Sequence, residues 1–270
     1  KLWGTITEEN FSLIISTLVE AKVFKTWTLW TPKQILFDFS NKFLEILKEK
    51  KDYSYYINII LKNIKSRDLV FYSFNTVENN LLWKFWINWR INYNDSIDFV
   101  YPIYTSIWWN KSDRYIELKY KKNIQKNPDC SIDTNLTIYR THFFSKFEEK
   151  KVNDLLDKHW IKNKKDIINI QWRWKNTAFT RVILPKDAKI KPREWLNIKK
   201  YSRYNIAEFY INTRILESTH FDIEYSIENK ECKNYNFKLY KQAWIKNYNI
   251  EIKDWDKLIK ELWIWWDYKY

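Results

Sequence analysis

Glycine is all but missing from this chain: it occurs once, where about 19 would be expected at the usual ~7%. Methionine is absent, and there are only 5 prolines and 2 cysteines. Glycine is the residue that reaches left-handed backbone without a Cβ clash, so helix ends and tight turns here have lost their usual residue. The two cysteines, Cys130 and Cys232, exclude a disulfide-dense scaffold. They form no C-x-x-C pair, which argues against a zinc site, and they can pair only if the fold brings them together. His142, His159 and His220 show no metal-ligand spacing and read as ordinary surface or satisfied histidines. No metal and no cofactor is expected. No apolar run reaches the ~18 residues that would span a bilayer, and no signal peptide is visible. With Lys1 first and no initiator, the chain reads as a fragment or processed piece.

Tryptophan is what stands in excess, with 17 residues. Together with the lone glycine they nearly fill the glycine quota. Trp160 follows VNDLLDKH, Trp263 follows DKLIKEL and Trp86 follows ENNLLWKF, each where a helix-ending glycine belongs. Trp27, Trp30, Trp172, Trp174 and Trp255 fall in TWTLWTP, QWRWKN and DWD, which read as turns. Most of these positions therefore read as UGA codons, written here as tryptophan but decoded as glycine in the source lineage. UGG codons at the same positions would exclude that reading. The pair Trp108-Trp109 is then a glycine pair, not an aromatic platform.

The charge is strongly positive, with 47 Lys and Arg against 33 Asp and Glu for a net +14. Lysine is accompanied by abundant Asn, Ile, Tyr and Phe, all with AT-rich codons, and no block of like charge stands out. The charge thus reads as genome composition spread over solvated faces. Nucleic-acid binding is a weak alternative drawn from charge alone.

The chain changes character near Arg114–Tyr115. Before that boundary, helical patterns alternate with short apolar runs. Thr5-Ile6-Thr7-Glu8 reads as a capping box, and Thr31-Pro32-Lys33-Gln34 as an N-cap with proline at the first helical position. The second helix gathers Ile35, Leu36, Phe39, Phe43, Ile46 and Leu47 on one face, so it is expected to pack. A helix through YYINIILKNIKS follows, then a buried strand LVFYSF at Leu69–Phe74, then a helix capped by Asn75 and ending near Trp86. A strand DFVYPIYTSI closes this part.

After the boundary come YIELKYKKNI, SIDTNLTIYRTHF, TAFTRVILP, IAEFYINTRIL, HFDIEYSI and NFKLYKQA, short runs rich in β-branched and aromatic residues, several alternating apolar with polar. The expected fold is α+β: residues 1–114 as the end of an α/β domain, then residues 115–250 as an antiparallel Ig-like β-sandwich. A helical insertion falls near 146–159, and 251–270 reads as a short helix and tail. No H-E-x-x-H, G-x-S-x-G or P-loop pattern occurs, even with glycine restored, so no catalytic residue is assigned. Arg67-Asp68, Asp95 and Asp98 suggest a carboxylate site only weakly, and read as turn residues and strand flanks.

With tryptophan read as glycine, the order ITEENF, TPKQILFDF, RDLVFYSFNTVENNLLWKFWINW, YPIYTSIWWNKSDRYIELKY resembles an uncharacterised family of bacterial and archaeal envelope proteins, domain-of-unknown-function family 4012. The segment Thr105–Ile116, with KSDRYI after the paired positions, carries the most specific part of the resemblance. Leu136-Thr137-Ile138-Tyr139, Phe179–Pro185 and LYKQAWI extend it along nearly the whole chain. The resemblance implies an extracytoplasmic cell-surface protein anchored by an N-terminal membrane helix. It also implies a preceding half resembling the LytR–CpsA–Psr enzymes, which attach glycopolymers to the cell wall. The expected role is a β-sandwich acting as interaction or spacer module, with an anionic envelope glycopolymer or other surface proteins as partners. The alternative is the non-catalytic end of a glycopolymer phosphotransferase, and the balance leans against enzymatic activity in this chain.

Within that motif, Asn110, Lys111, Ser112, Asp113 and Arg114 form the candidate site. Glycines at 108 and 109 would permit a close backbone approach to an anion, with Lys111 and Arg114 binding phosphate or a carboxylated polymer. The structural alternative has Asp113 capping a turn and Lys111 or Arg114 in a salt bridge at the domain junction.

Overall fold

The computed structural model describes residues 7, 10–17, 19, 34–49, 53–65, 68–85, 87–88, 98–107, 112–158, 162, 164–169, 175–228, 235–240, 242, 248–254, 257–262 and 267–269. The fold is α+β. A helical N-terminal part, with α1 (Gln34–Glu49), α2 (Ser54–Lys65) and α3 (Thr76–Lys84), precedes a two-sheet sandwich that carries α4 (Lys146–Lys158) and α5 (Lys164–Ile168) as an insertion.

The first sheet has the order β12-β9-β1-β4-β7-β6, with β1 (Asp98–Ser106), β4 (Asn176–Pro185), β6 (Asn197–Lys200), β7 (Tyr204–Thr213), β9 (Asn236–Leu239) and β12 (Asp267–Lys269). The second has the order β11-β10-β2-β3-β8-β5, with β2 (Ile116–Lys126), β3 (Ile132–His142), β5 (Lys189–Ile190), β8 (Ser218–Ile227), β10 (Tyr248–Asp254) and β11 (Lys257–Leu262). Pairing is antiparallel except at β1–β9 and β2–β10, which are parallel.

Alternation along the strands builds the core. On β2, Ile116, Leu118, Tyr120 and Ile124 turn inward while Glu117 and Lys119 face out. On β3 the inward set includes Ile132, Leu136 and Ile138. They meet Val100, Val182, Leu184, Ala207, Phe209 and Ile211 of the first sheet in one buried cluster. A smaller cluster joins Leu13, Tyr115 and Phe144 to Val152 and Leu156 of α4 and Ile167 and Ile168 of α5, docking the insertion at one end of the sandwich.

Local chemistry explains the connections. In Asn127-Pro128-Asp129-Cys130 the β2–β3 hairpin has proline at the second turn position, and Asp129 Oδ1 accepts from the Ser131 backbone N–H at 3.0 Å. Cys130 follows at φ 66°, the left-handed place where such hairpins usually carry glycine. Leu216 (φ 59°) takes the same conformation in the β7–β8 connection, its N–H donating to the His142 carbonyl at 2.8 Å. Neither position is a tryptophan. Trp83 lies inside α3, and Trp195 sits in a turn with its ring edge-on to Phe209 and Phe221. Trp86, Trp160 and Trp263, the three helix-end positions, lie outside the described residues, as do Trp108 and Trp109.

Several expectations change. β1, read from the sequence as the last strand before the boundary, is central in the first sheet and pairs with β4, so the sandwich begins at Asp98 and not at Tyr115. The stretch 251–270, read as a helix and tail, carries β11 and β12, each recruited to a sheet edge by pairing with β10 and β9. Its helix-like spacing was overridden by the unpaired strand edges beside it. LVFYSF is not a buried strand: among the described residues its one ladder contact is an isolated parallel bridge, Phe71 to Asn88, and Tyr72 and Phe74 are exposed. Asn75 caps α3 as expected, its Oδ1 accepting from the N–H groups of Val77 and Glu78 at 2.9 and 3.3 Å. The apolar face of α1 packs in part, through Phe39 on Phe11 at 5.1 Å, while Phe43 and Ile46 stay exposed.

Candidate functional site

Three polar centres stand out: two are buried between the sheets and one opens on the outer face of the second sheet.

The first contains the sequence motif. Ser112, Asp113 and Arg114 lie in a 3-10 turn, Ser112–Tyr115, that carries the chain from β1 into β2 and so from one sheet to the other. Asn110 and Lys111 lie outside the described residues. The Asn176 amide, at the start of β4, donates to Ser112 Oγ and to Asp113 Oδ1, both at 2.7 Å. Buried Arg140 of β3 donates to Asn176 Oδ1, to the Asn176 carbonyl at 3.4 Å and to Thr213 Oγ1 at 3.3 Å, and lies 3.7 Å from Asp113. The turn is thus tied to β4 through Asn176 and to β3 through Arg140, and Ser112 and Asp113 act as fasteners between the sheets. Arg114 keeps a half-buried position with its guanidinium carbon 5.8 Å from the Tyr115 ring centre. Burial pushes the Tyr115 hydroxyl up to about 12.

Beside Arg140, His142 is fully buried. Its Nδ1 accepts from the Phe144 N–H at 3.3 Å, which requires a lone pair there and fits a neutral ring. Burial, and then the positive charge of Arg140, lower its pKa to about 4, against a smaller upward pull from Asp113. Of the two expectations, surface or satisfied, the first does not hold for His142: it is buried, with Nδ1 satisfied by a backbone N–H. His220 is exposed, its ring 5.8 Å from that of Tyr139, and His159 lies outside the described residues.

The second centre lies toward the other end of β1, about 25 Å away at ~3.3 Å per residue. Lys122 Nζ of β2 meets Asp98 Oδ2 of β1 at 2.6 Å, with both side chains at 0% exposure. The Tyr225 hydroxyl lies 2.5 Å from Nζ and 3.0 Å from Asp98 Oδ1, and the Tyr235 hydroxyl donates to Oδ2 at 2.6 Å. The rings of Phe237 and Tyr225 stand 4.6 and 4.8 Å from the ammonium. Burial pulls the Lys122 amine below its usual range against the opposing pull of Asp98, and pushes the Tyr225 hydroxyl well above its own. Asp98 is therefore no mere strand flank. The signal was in the alternation: Lys122 shares the inward register of Ile116, Leu118, Tyr120 and Ile124, as Arg140 and His142 share that of Leu136 and Ile138. Of the other residues weighed with Asp98, Arg67 and Asp95 lie outside the described residues.

The third centre is a surface cleft of about 490 Å3 where β2, β3, β8 and β5 present outward residues. The amides of Asn123, Gln125 and Asn135 line it beside Asp133, Ser226 and Glu224. Register places Asn123 opposite Asn135, and Asn135 opposite Glu224. Asn135 Oδ1 has no protein partner among the described residues. Lys191 and Lys189 border the cleft and pair with Glu224 at 2.7 Å and Glu228 at 2.6 Å.

Among the described residues no cluster of three or more His, Cys, Asp or Glu could hold a metal, and no helix is long and apolar enough to cross a membrane. Cys130 is disulfide-bonded, while Cys232 lies outside the described residues. No protein-family model and no curated protein matches the chain. A solved structure of a candidate nutrient-binding protein from Legionella pneumophila is similar at a TM-score of 0.32 and 6% identity, over 57% of this chain. The matched part is 54% of that protein, about half its length.

Proposed function

We propose that this chain belongs to an extracytoplasmic, membrane-anchored cell-envelope protein whose β-sandwich is an interaction module for an anionic envelope glycopolymer. The outer cleft of the second sheet carries this reading. An amide carries a donor and an acceptor side by side, the pattern needed to meet neighbouring hydroxyls on a sugar ring, and three amides line the cleft. Lys189 and Lys191 at its rim supply positive charge for phosphate or carboxylate groups along the polymer. Their present ion pairs are exposed and worth little, so exchanging a glutamate for a polymer anion costs little. The disulfide at Cys130 supports an oxidising compartment. Membrane anchoring comes from the family resemblance.

Titration of the protein with purified anionic wall glycopolymer, followed by calorimetry, tests the reading. Saturable binding is expected, weakened about tenfold, or ~1.4 kcal/mol, by Asn135→Ala and by Lys191→Ala. Absence of binding, or binding that neither substitution changes, would overturn the assignment to this cleft. The rival reading, the non-catalytic end of a LytR–CpsA–Psr-like phosphotransferase, gains if the gene upstream of Lys1 encodes an α/β half rich in arginine and aspartate. Nucleic-acid binding stays the weakest reading, since it rests on net charge alone and no block of like charge stands out along the chain.

A further inference from the structure

Lysine and aspartate in contact at the centre of a sandwich need an explanation. Removing an ammonium and a carboxylate from water costs several kcal/mol per ion, and an apolar pair of like volume would often be at least as stable. Lys122 and Asp98 have no exposed atom to offer a ligand. They do have the arrangement of two reactants. The amine nitrogen lies 2.6 Å from a carboxylate oxygen, held on strands of opposite sheets and walled by Phe237 and Tyr225. The Tyr235 hydroxyl polarises Oδ2 by donating to it, while the Tyr225 hydroxyl touches both the amine and Oδ1.

We propose that Lys122 and Asp98 condense to a side-chain amide, an intramolecular isopeptide cross-link joining β2 of one sheet to β1 of the other. The ammonium first passes a proton to the carboxylate, directly or through the Tyr225 hydroxyl, leaving a neutral amine beside a neutral carboxylic acid. The amine lone pair attacks Cγ of Asp98 and the C–N bond forms. The Cγ–OH bond breaks, and the hydroxyl leaves with one amine proton as water. No oxidant, reductant or energy carrier is consumed.

Two physical effects favour the step here and not in bulk water. In water the separated ions are held by hydration, which this core removes, so loss of both charges relieves the burial cost. Fixing the two groups in contact supplies the proximity that raises effective molarity in well-oriented intramolecular reactions. Burial also pulls Lys122 toward the neutral, nucleophilic amine. Thr134 Oγ1, 3.4 Å from Nζ, is the remaining hydrogen-bond contact of the amine among the described residues.

The test is tandem mass spectrometry of tryptic peptides from the full-length chain. The peptides holding Asp98 and Lys122 are expected as one branched species, lighter than their sum by one water, with no cleavage after Lys122. Recovery of the two peptides unlinked from the folded wild-type protein overturns the proposal. Lys122→Arg and Asp98→Ala supply references in which the branched species must vanish, and a link persisting in either also overturns it. The wild-type measurement stands even if both variants fail to fold. It is independent of glycopolymer binding, so failure of one reading leaves the other standing.

Discussion

His142 sits where a titratable ring has to stay neutral. It is fully buried at the end of β3, accepts a backbone hydrogen bond and lies in the field of Arg140. Its ordinary value of 6.5 falls to about 4, so between those values the unfolded chain binds a proton that the folded protein refuses. Its contribution is therefore fully present above about pH 6.5 and lost progressively as pH falls toward 4, amounting to ~3 kcal/mol. Urea midpoints across that window should drop steeply in the wild type and less steeply in His142→Gln. Equal slopes would remove the burial account. The residue-scale lesson of Lys122, Asp98 and Arg140 is similar. Alternation in β2 and β3 puts Lys122 and Arg140 in the inward register, against the usual preference of such charged side chains for water. Their partners, Asp98, Asn176 and Thr213, come from distant strands, and no local pattern announces such a pairing.

At the scale of elements, capping and turn chemistry were the most readable features. Asn75 precedes α3, accepts from two of its first N–H groups, and has its own N–H held by Ser73 Oγ at 3.0 Å. Asn75→Ala should cost about 1 kcal/mol of local stability, seen as faster amide exchange in residues 77–81 with the sandwich core unchanged. Loss of protection throughout the sandwich would mean that α3 is coupled to it more tightly than the fold indicates. β2, β3, β4, β7 and β8 were legible from their β-branched and aromatic content and, in β2 and β3, from a period of two that burial of one face enforces, whereas the short strands β5 and β6 left no such signal. The end of the chain was not legible either. KLIKEL has helical spacing, but beside an open sheet edge its backbone gains more from ladder bonds to β10. The LVFYSF run failed in the opposite sense: it is apolar enough for a buried strand, but among the described residues only one bridge pairs it.

For the whole molecule, the order of strands matters more than their existence. The chain changes sheet repeatedly, among other places at the 3-10 turn after β1, through the α4–α5 insertion and at the β7–β8 connection, so each sheet depends on the other for its sequence neighbours. The disulfide at Cys130 adds a constraint at the β2–β3 hairpin. Protein isolated from native cells with thiols trapped at lysis should show no free thiol. Reduction should lower unfolding stability by about 2–4 kcal/mol in denaturant titrations. Free thiols in the native protein would count against both the bond and the oxidising compartment.

By itself the sequence determined the α+β composition, the longer sandwich strands β2, β3, β4, β7 and β8, the inserted helix and the cap of α3, because these follow from periodicity and from side chains acting on backbone groups a few residues away. Only the tertiary structure decided that β1 belongs to the sandwich, that Ser112 and Asp113 fasten its two sheets, and that Lys122 meets Asp98 in the core. The reason is range. Alternation and capping are local and leave a trace in neighbouring residues, whereas a contact between strands far apart in the chain is selected by the shape of the whole core.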